Sequence, residues 1–256
     1  MNLSNLKALL SLSFILIAFN SKAQKLPEVQ QASVWTPANI TVDGDAIEWN
    51  NKFQAYNKTA NVYYTLSNNE DHLFLTIQAT DPGIINKIVG GGVTFTIQKS
   101  GKKNDQGAMR IIYPYFTKKN RPYFNLKEEQ KVSAVLKDSI AKSDNKQLKN
   151  LMRTIKVNNI TGVDTLISVT NENDIKVAEA FDNKLTFTWE ASLSIKQLGI
   201  NPDAKFAYHI SIGDLVLKTL TRQAEVNYET DVTGYNNAAA VATYDLWGEY
   251  TLAKKQ

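Results

Sequence analysis

Apolar side chains recur at every second position along most of this chain, and that period restricts its fold more than any other feature. In Val62-Tyr63-Tyr64-Thr65-Leu66 and in Leu73-Phe74-Leu75-Thr76-Ile77-Gln78-Ala79, residues two apart are apolar, as in a strand with one face on a core. Between them stand Ser67-Asn68-Asn69-Glu70-Asp71, all polar turn formers, which predicts an antiparallel hairpin. Val93, Phe95 and Ile97 repeat the pattern, as do Ile111, Tyr113 and Tyr115, the run from Leu185 to Ile195, then Phe206, Tyr208, Ile210 and Ile212, and finally Leu246, Tyr250 and Leu252. So many antiparallel strands joined by polar turns predict an all-β fold, an antiparallel β-sandwich of about ten strands.

One stretch departs from that period. Val132, Val135, Leu136 and Ile140, then Leu148, Leu151, Met152 and Ile155, recur at helical spacing, so a two-helix insertion is predicted over about 127–156. It carries eight Lys and Arg, from Lys127 to Lys156, against Glu128, Glu129, Asp138 and Asp144. That excess would suit docking on an acidic glycan or an anionic envelope surface, and it equally describes a solvated helix face.

The first residues read as an address. Lys7 precedes a twelve-residue apolar run from Ala8 to Phe19, and Ser21-Lys22-Ala23 puts small residues at the −3 and −1 sites, so a signal peptide over 1–23, cleaved after Ala23, is expected. Twelve residues span only about 18 Å as a helix, against about 30 Å of hydrocarbon, so the run does not read as a membrane anchor. A polar lead-in over 24–39 and the sandwich over 40–256 complete the expected layout. Loss of Lys7 and Lys22 from 29 basic residues leaves 27 against 25 acidic ones, a balance that predicts no nucleic-acid partner. The chain has no Cys, which removes disulfides, thiolate metal sites and thiol nucleophiles. A Cys-free exported chain fits a bacterial periplasm or cell surface better than an animal secretory pathway.

Catalytic patterns are not legible. Triad chemistry needs an imidazole beside a hydroxyl, and His72 and His209, the two histidines, fall on the solvent side of their strands. Two histidines also cannot make a multi-histidine metal centre. Glu190 interrupts an apolar strand in the phase opposite Trp189, where a structural hydrogen-bonding role is expected. Gly90-Gly91-Gly92 lacks the spacing of a phosphate loop and reads as a tight strand opening. The chain is therefore expected not to be an enzyme.

A succession of short motifs nevertheless carries a resemblance. Ile40-Thr41-Val42-Asp43-Gly44-Asp45-Ala46-Ile47-Glu48-Trp49, the hairpin closing on Leu73-Phe74-Leu75 and Asp81-Pro82, Trp189 to Ile195 with Leu198-Gly199-Ile200, Ile210 to Asp214, and Trp247-Gly248-Glu249-Tyr250-Thr251-Leu252 follow one another in the order found in family 9 carbohydrate-binding modules. The chain resembles those modules and their DOMON-like relatives over about 40–253, interrupted by the insertion. The resemblance implies a sandwich that holds a poly- or oligosaccharide, often attached to a glycan-degrading enzyme, sometimes with structural calcium. Family members grip sugar between two tryptophans. Here the first corresponding loop, Gly83 to Gly92, has no aromatic, the second offers only Tyr235 and Tyr244, and Val93 to Gln98 lacks two family carboxylates. Arg110 matches a family Arg that hydrogen-bonds sugar.

Tyr113-Pro114-Tyr115-Phe116 and Arg121-Pro122-Tyr123-Phe124-Asn125 have the mixed aromatic and polar composition that saccharides need, and would serve equally as packing beneath the insertion. Arg110, Tyr115, Tyr123 and Tyr244 are accordingly the expected ligand contacts. Trp49, Trp189 and Trp247 are expected to be structural and Trp35 exposed. The expected function is non-catalytic carbohydrate binding in a bacterial glycan-acquisition system, and the alternative is an interaction or assembly domain that lost the sugar site. Haem, bound by some DOMON relatives, would need axial ligands from His72, His209, Met109 or Met152.

Overall fold

The computed structural model describes residues 25–50, 52–116, 121–213 and 244–255; the signal peptide expected over 1–23, Asp214 and Tyr235 lie outside them. Among the described residues the strands are β1 (Ala55–Asn57), β2 (Val62–Asn68), β3 (His72–Ala79), β4 (Val93–Gln98), β5 (Met109–Tyr113), β6 (Thr154–Asn158), β7 (Leu166–Ser168), β8 (Lys176–Phe181), β9 (Phe187–Ser194), β10 (Phe206–Ile212) and β11 (Asp245–Tyr250). They form a five-stranded sheet in the order β1-β2-β3-β9-β8 and a six-stranded sheet in the order β11-β10-β4-β5-β6-β7, all antiparallel. The fold is an all-β sandwich with a small helical insertion.

The period-two pattern buries one set of side chains from each sheet. Leu73, Leu75 and Ile77 of β3 and Trp189, Ala191 and Leu193 of β9 meet Phe95 and Ile97 of β4 and Tyr208 and Ile210 of β10 in one core. The polar tips of Tyr64, Tyr208 and Trp189 are matched inside it. The Tyr64 and Tyr208 hydroxyls lie 3.0 Å apart across the core, and Trp189, fully buried, donates its indole N–H to Tyr113 O at 3.0 Å, so neither ring costs an unpaired donor.

A second, smaller apolar cluster covers the outer face of the five-stranded sheet. The opening motif lays Ala46, Trp49 and Phe53 there, with Trp49 Nε1 donating to Thr76 Oγ1 at 3.2 Å. Thr76 in turn donates to Glu190 Oε1 at 3.1 Å, and Glu190 Oε2 accepts Asp43 N–H and Gly44 N–H, each at 3.0 Å. Glu190 is thus the acceptor that fastens the Asp43-Gly44 turn to the sheet. Gly44 has φ +87°, and a Cβ there would stand 2.5 Å from the Glu179 carbonyl carbon of β8, so only glycine allows the turn to lie so close.

The lead-in extends the sheet edge where β1 stops. Asn68 N–H donates to Val34 O and Thr36 N–H to Asn68 O, both at 3.0 Å, making a parallel bridge at Trp35, which is half-buried. The Asn68 side chain, 1% exposed, also accepts from Ala253 N at 2.7 Å and donates to its carbonyl at 3.1 Å. One asparagine therefore ties the lead-in and the segment after β11 to β2.

Two helical expectations change. The segment expected as a loop, Gly83 to Gly92, is mostly helix α1 (Pro82–Gly91): Asp81 caps it by accepting from Ile84 N, Pro82 occupies its first turn, and Ile84, Ile85, Ile88 and Val89 are buried along one face. The insertion contains a single turn α2 (Leu126–Glu129) and one long helix α3 (Ala134–Leu151), capped by Ser133. The expected second helix does not reach Ile155, which is buried in β6. Helix α3 buries Ala141, Asp144 and Leu148 and packs on β8, an edge of the five-stranded sheet. There Asn145 accepts from Phe181 N at 2.8 Å and donates to Phe181 O at 2.9 Å, standing in for the neighbouring strand that an edge lacks. The last helix, α4 (Ile195–Leu198), is one turn after β9.

Candidate functional site

A half-open cleft of about 420 Å³ lies where the start of α1, the Tyr123 to Lys127 segment and the end of β10 meet. Its position follows from three backbone attachments. Gly213 N–H donates to Gly92 O at 2.8 Å, drawing the end of β10 onto the end of α1; a Cβ on Gly91 would stand 2.6 Å from Gly213 Cα, so the approach requires glycine. Ile212 N–H donates to Tyr244 O at 2.9 Å, which sets Tyr244 at the cleft. On the other side, the Asn86 side chain of α1 accepts from Phe124 N and donates to Phe124 O, both at 2.9 Å.

That clamp sorts the two aromatics beside it. Phe124 is 4% exposed and packs edge-on against Phe181, whereas Tyr123 is 77% exposed and lines the cleft. The aromatic-rich segment therefore divides: Tyr113 and Phe124 belong to the core, and Tyr123 is presented to solvent. Lys87 and Lys127 contribute cations to the lining and Asn125 an exposed amide. Lys87 Nζ stands 4.6 Å from the Tyr244 ring centroid, within the range of cation–π attraction.

Of the four residues predicted as contacts, Tyr123 and Tyr244 share this cleft, while Arg110 and Tyr115 do not line it. Arg110 stands on the outer face of the six-stranded sheet, in the cross-strand row Trp247, His209, Thr96, Arg110, Asn158. Its guanidinium lies 3.7 Å from the Asp105 carboxylate, and its Nε, like the hydroxyls of Thr94 and Thr96, is buried with no hydrogen-bond partner. Tyr115 faces Lys156, whose Nζ is 5.1 Å from the ring centroid.

The histidines occupy the strand faces their phase predicts but are not free. His209 stacks on Trp247 at 4.4 Å and 3°, with Nε2 2.9 Å from Asp245 Oδ2; His72 Nε2 lies 2.7 Å from Asp174 Oδ2. They belong to β10 and β3, one in each sheet, on opposite outer faces of the sandwich, so no single site can use both. Met109 and Met152 are buried in the core.

Burial raises four carboxyl groups, Glu129 among them. Glu190 is pushed up to about 7 by burial, against the pull of its three hydrogen-bond donors. Glu179 rises to about 7 for the same reason, with the Tyr113 hydroxyl acting the other way. Asp144 rises to about 6 through burial and then the nearby Glu129 charge. Glu179 is paired across the sheet with Trp189, whereas Glu190 is paired with Ala178, so the first points to the core side and the second to the outer side of one sheet. Among the described residues no group of three His, Asp or Glu could hold a metal ion, and no helix is long and apolar enough to cross a membrane.

Sequence reasoning missed Asn86 and Lys87, and it named Asn125 and Lys127 within the aromatic-rich segment and the basic insertion without counting them as contacts. The signal for α1 was present in Asp81-Pro82 followed by Ile84, Ile85, Ile88 and Val89, and recognising it would have placed Asn86 and Lys87 on one helix. No family model matches the chain, and no curated protein matches it in sequence.

Proposed function

We propose that this chain is a non-catalytic carbohydrate-binding protein, exported by a bacterium, that takes part of a poly- or oligosaccharide into the α1/β10 cleft. The observation that carries the reading is Tyr123, a large aromatic 77% exposed at the cleft and held there by the Asn86 clamp on its neighbour. Axial C–H groups of a sugar ring are apolar and pack on such a face, while its hydroxyls need polar groups of the kind Asn125, Lys87 and Lys127 supply. The resemblance to family 9 modules supports the same reading. The absence of catalysis is supported by the placement of Glu179 and Glu190 on opposite sides of one sheet, where they cannot work on a common bond.

The test is a glycan array followed by calorimetry with the mature chain. A saccharide is expected to bind, and Tyr123→Ala is expected to weaken it at least tenfold without lowering Tm, because the ring is exposed. Silence across the array, or an unaffected Tyr123→Ala variant, refutes the proposal; release of reducing ends from any bound glycan refutes its non-catalytic part. A second reading, an assembly domain, draws on Val135 and Leu136, exposed by 79% and 54% on α3. It would show as a chain that binds no glycan and self-associates in light scattering, with Leu136→Lys restoring the monomer.

A further inference from the structure

Charge pairing is uneven over the described surface. Some cations are matched, Lys58 to Glu28, Lys103 and Lys205 to Glu249, Lys142 to Asp138 and Lys254 to Asp203. Lys87 and Lys127 line the cleft and make no ion pair among the described residues, and none of the described lining residues is acidic. Adjacent carboxylates are already engaged. Asp81 is turned to cap Ile84 N at 3.0 Å, and Glu128 is paired with Lys131 at 2.7 Å. Two positive charges thus stand in a concave site with no acidic residue among its described lining, where attraction for an anion is less screened than on an open face.

The two tyrosines also divide the work. With Lys87 Nζ held 4.6 Å from its ring centroid, Tyr244 spends one face on a lysine and positions that cation, leaving Tyr123 as the unobstructed stacking surface. A neutral sugar gripped between two aromatic faces would lose one of them here. A sugar with a negative group gains a cation in exchange.

Resting on the carbohydrate-binding reading above, we infer that the cleft selects an anionic saccharide, its ring on Tyr123 and its carboxylate or sulfate between Lys87 and Lys127. The experiment is calorimetry at 50 mM and 300 mM salt with three probes of matched length: oligogalacturonate, a sulfated galacto-oligosaccharide, and the neutral galacto-oligosaccharide. Either acidic probe is expected to bind at least tenfold tighter than the neutral one at low salt, and to lose most of that advantage at high salt. Which acidic probe prevails identifies the anionic group. Lys127→Met and Lys87→Met are each expected to weaken acidic binding about fivefold or more, whereas Lys146→Ala, on the exposed side of α3, leaves it unchanged. Equal affinity for the neutral probe overturns the anion preference and leaves carbohydrate binding standing. Silence of all three probes here, with silence on the glycan array, overturns both. An equal loss on Lys146→Ala overturns the placement, because the basic helix would then be holding the ligand.

Discussion

Replacing Glu190 by Gln tests how the opening motif is fastened to the sheet. The side chain is 2% exposed and accepts two backbone N–H groups and the Thr76 hydroxyl. Burial nevertheless raises it from 4.5 to about 7. Between those values the folded chain holds a proton that the unfolded chain has released, so stability falls as pH rises through that window. The difference amounts to about 3 kcal/mol, absent below pH 4.5 and fully developed only above pH 7. Gln keeps an acceptor for Asp43 N and Gly44 N and turns an N–H₂ toward Thr76, as the protonated carboxyl turns its O–H there. At pH 5 the two chains should therefore be of similar stability, and by pH 8 the variant should be the more stable, by about 3 kcal/mol. Glu179 and Asp144, raised to about 7 and about 6, tilt both chains alike, so the difference between variant and wild type isolates Glu190. Urea unfolding followed by tryptophan fluorescence between pH 5 and pH 8 reads this directly. Stability curves that run parallel across that range would refute the argument.

Two further substitutions probe the elements that build the cleft and protect the sheet edge. Gly91→Ala places a Cβ 2.6 Å from Gly213 Cα and must push β10 off α1; a loss of about 1–3 kcal/mol in stability and weaker saccharide binding are expected, and unchanged Tm with unchanged affinity would refute the contact. Asn145→Ala strips both hydrogen bonds from the Phe181 backbone, so about 1–3 kcal/mol should be lost with faster hydrogen exchange at the Phe181 amide; retained protection there would show that another group pairs with the edge of β8.

The sandwich was legible because its principal strands obey one strict period over an uninterrupted run. Leu73, Leu75 and Ile77 need no context to declare a buried face. The period failed where two patterns overlap on the same letters. Thr154-Ile155-Lys156-Val157-Asn158 alternates and forms β6, yet Ile155 also falls at helical spacing from Leu148 and Met152, and a charge-rich neighbourhood favoured the helical reading. In β8, Glu179 interrupts the apolar set, and the strand exists because β9 pairs with it along its whole length. Helix α1 was hidden by glycines that lower helix propensity, while the tertiary packing of Ile84, Ile85, Ile88 and Val89 outweighs that cost.

The candidate site was half legible for a related reason. Composition singled out Tyr123 and the resemblance pointed to Tyr244, but a list of aromatics does not say which rings reach solvent. That choice is made by Asn86, which fixes the Phe124 backbone from 38 residues away and so turns the preceding side chain outward. Arg110 shows the converse. It lies on β5, a strand that the alternation predicts, yet its guanidinium is directed to Asp105 on the outer sheet face, while the cleft is built from α1 and the start of the insertion. An alternating strand pattern reports which way a side chain points relative to the sheet. It carries no information on which helix or loop covers the strand ends, and in this sandwich that covering decides where a ligand could be held.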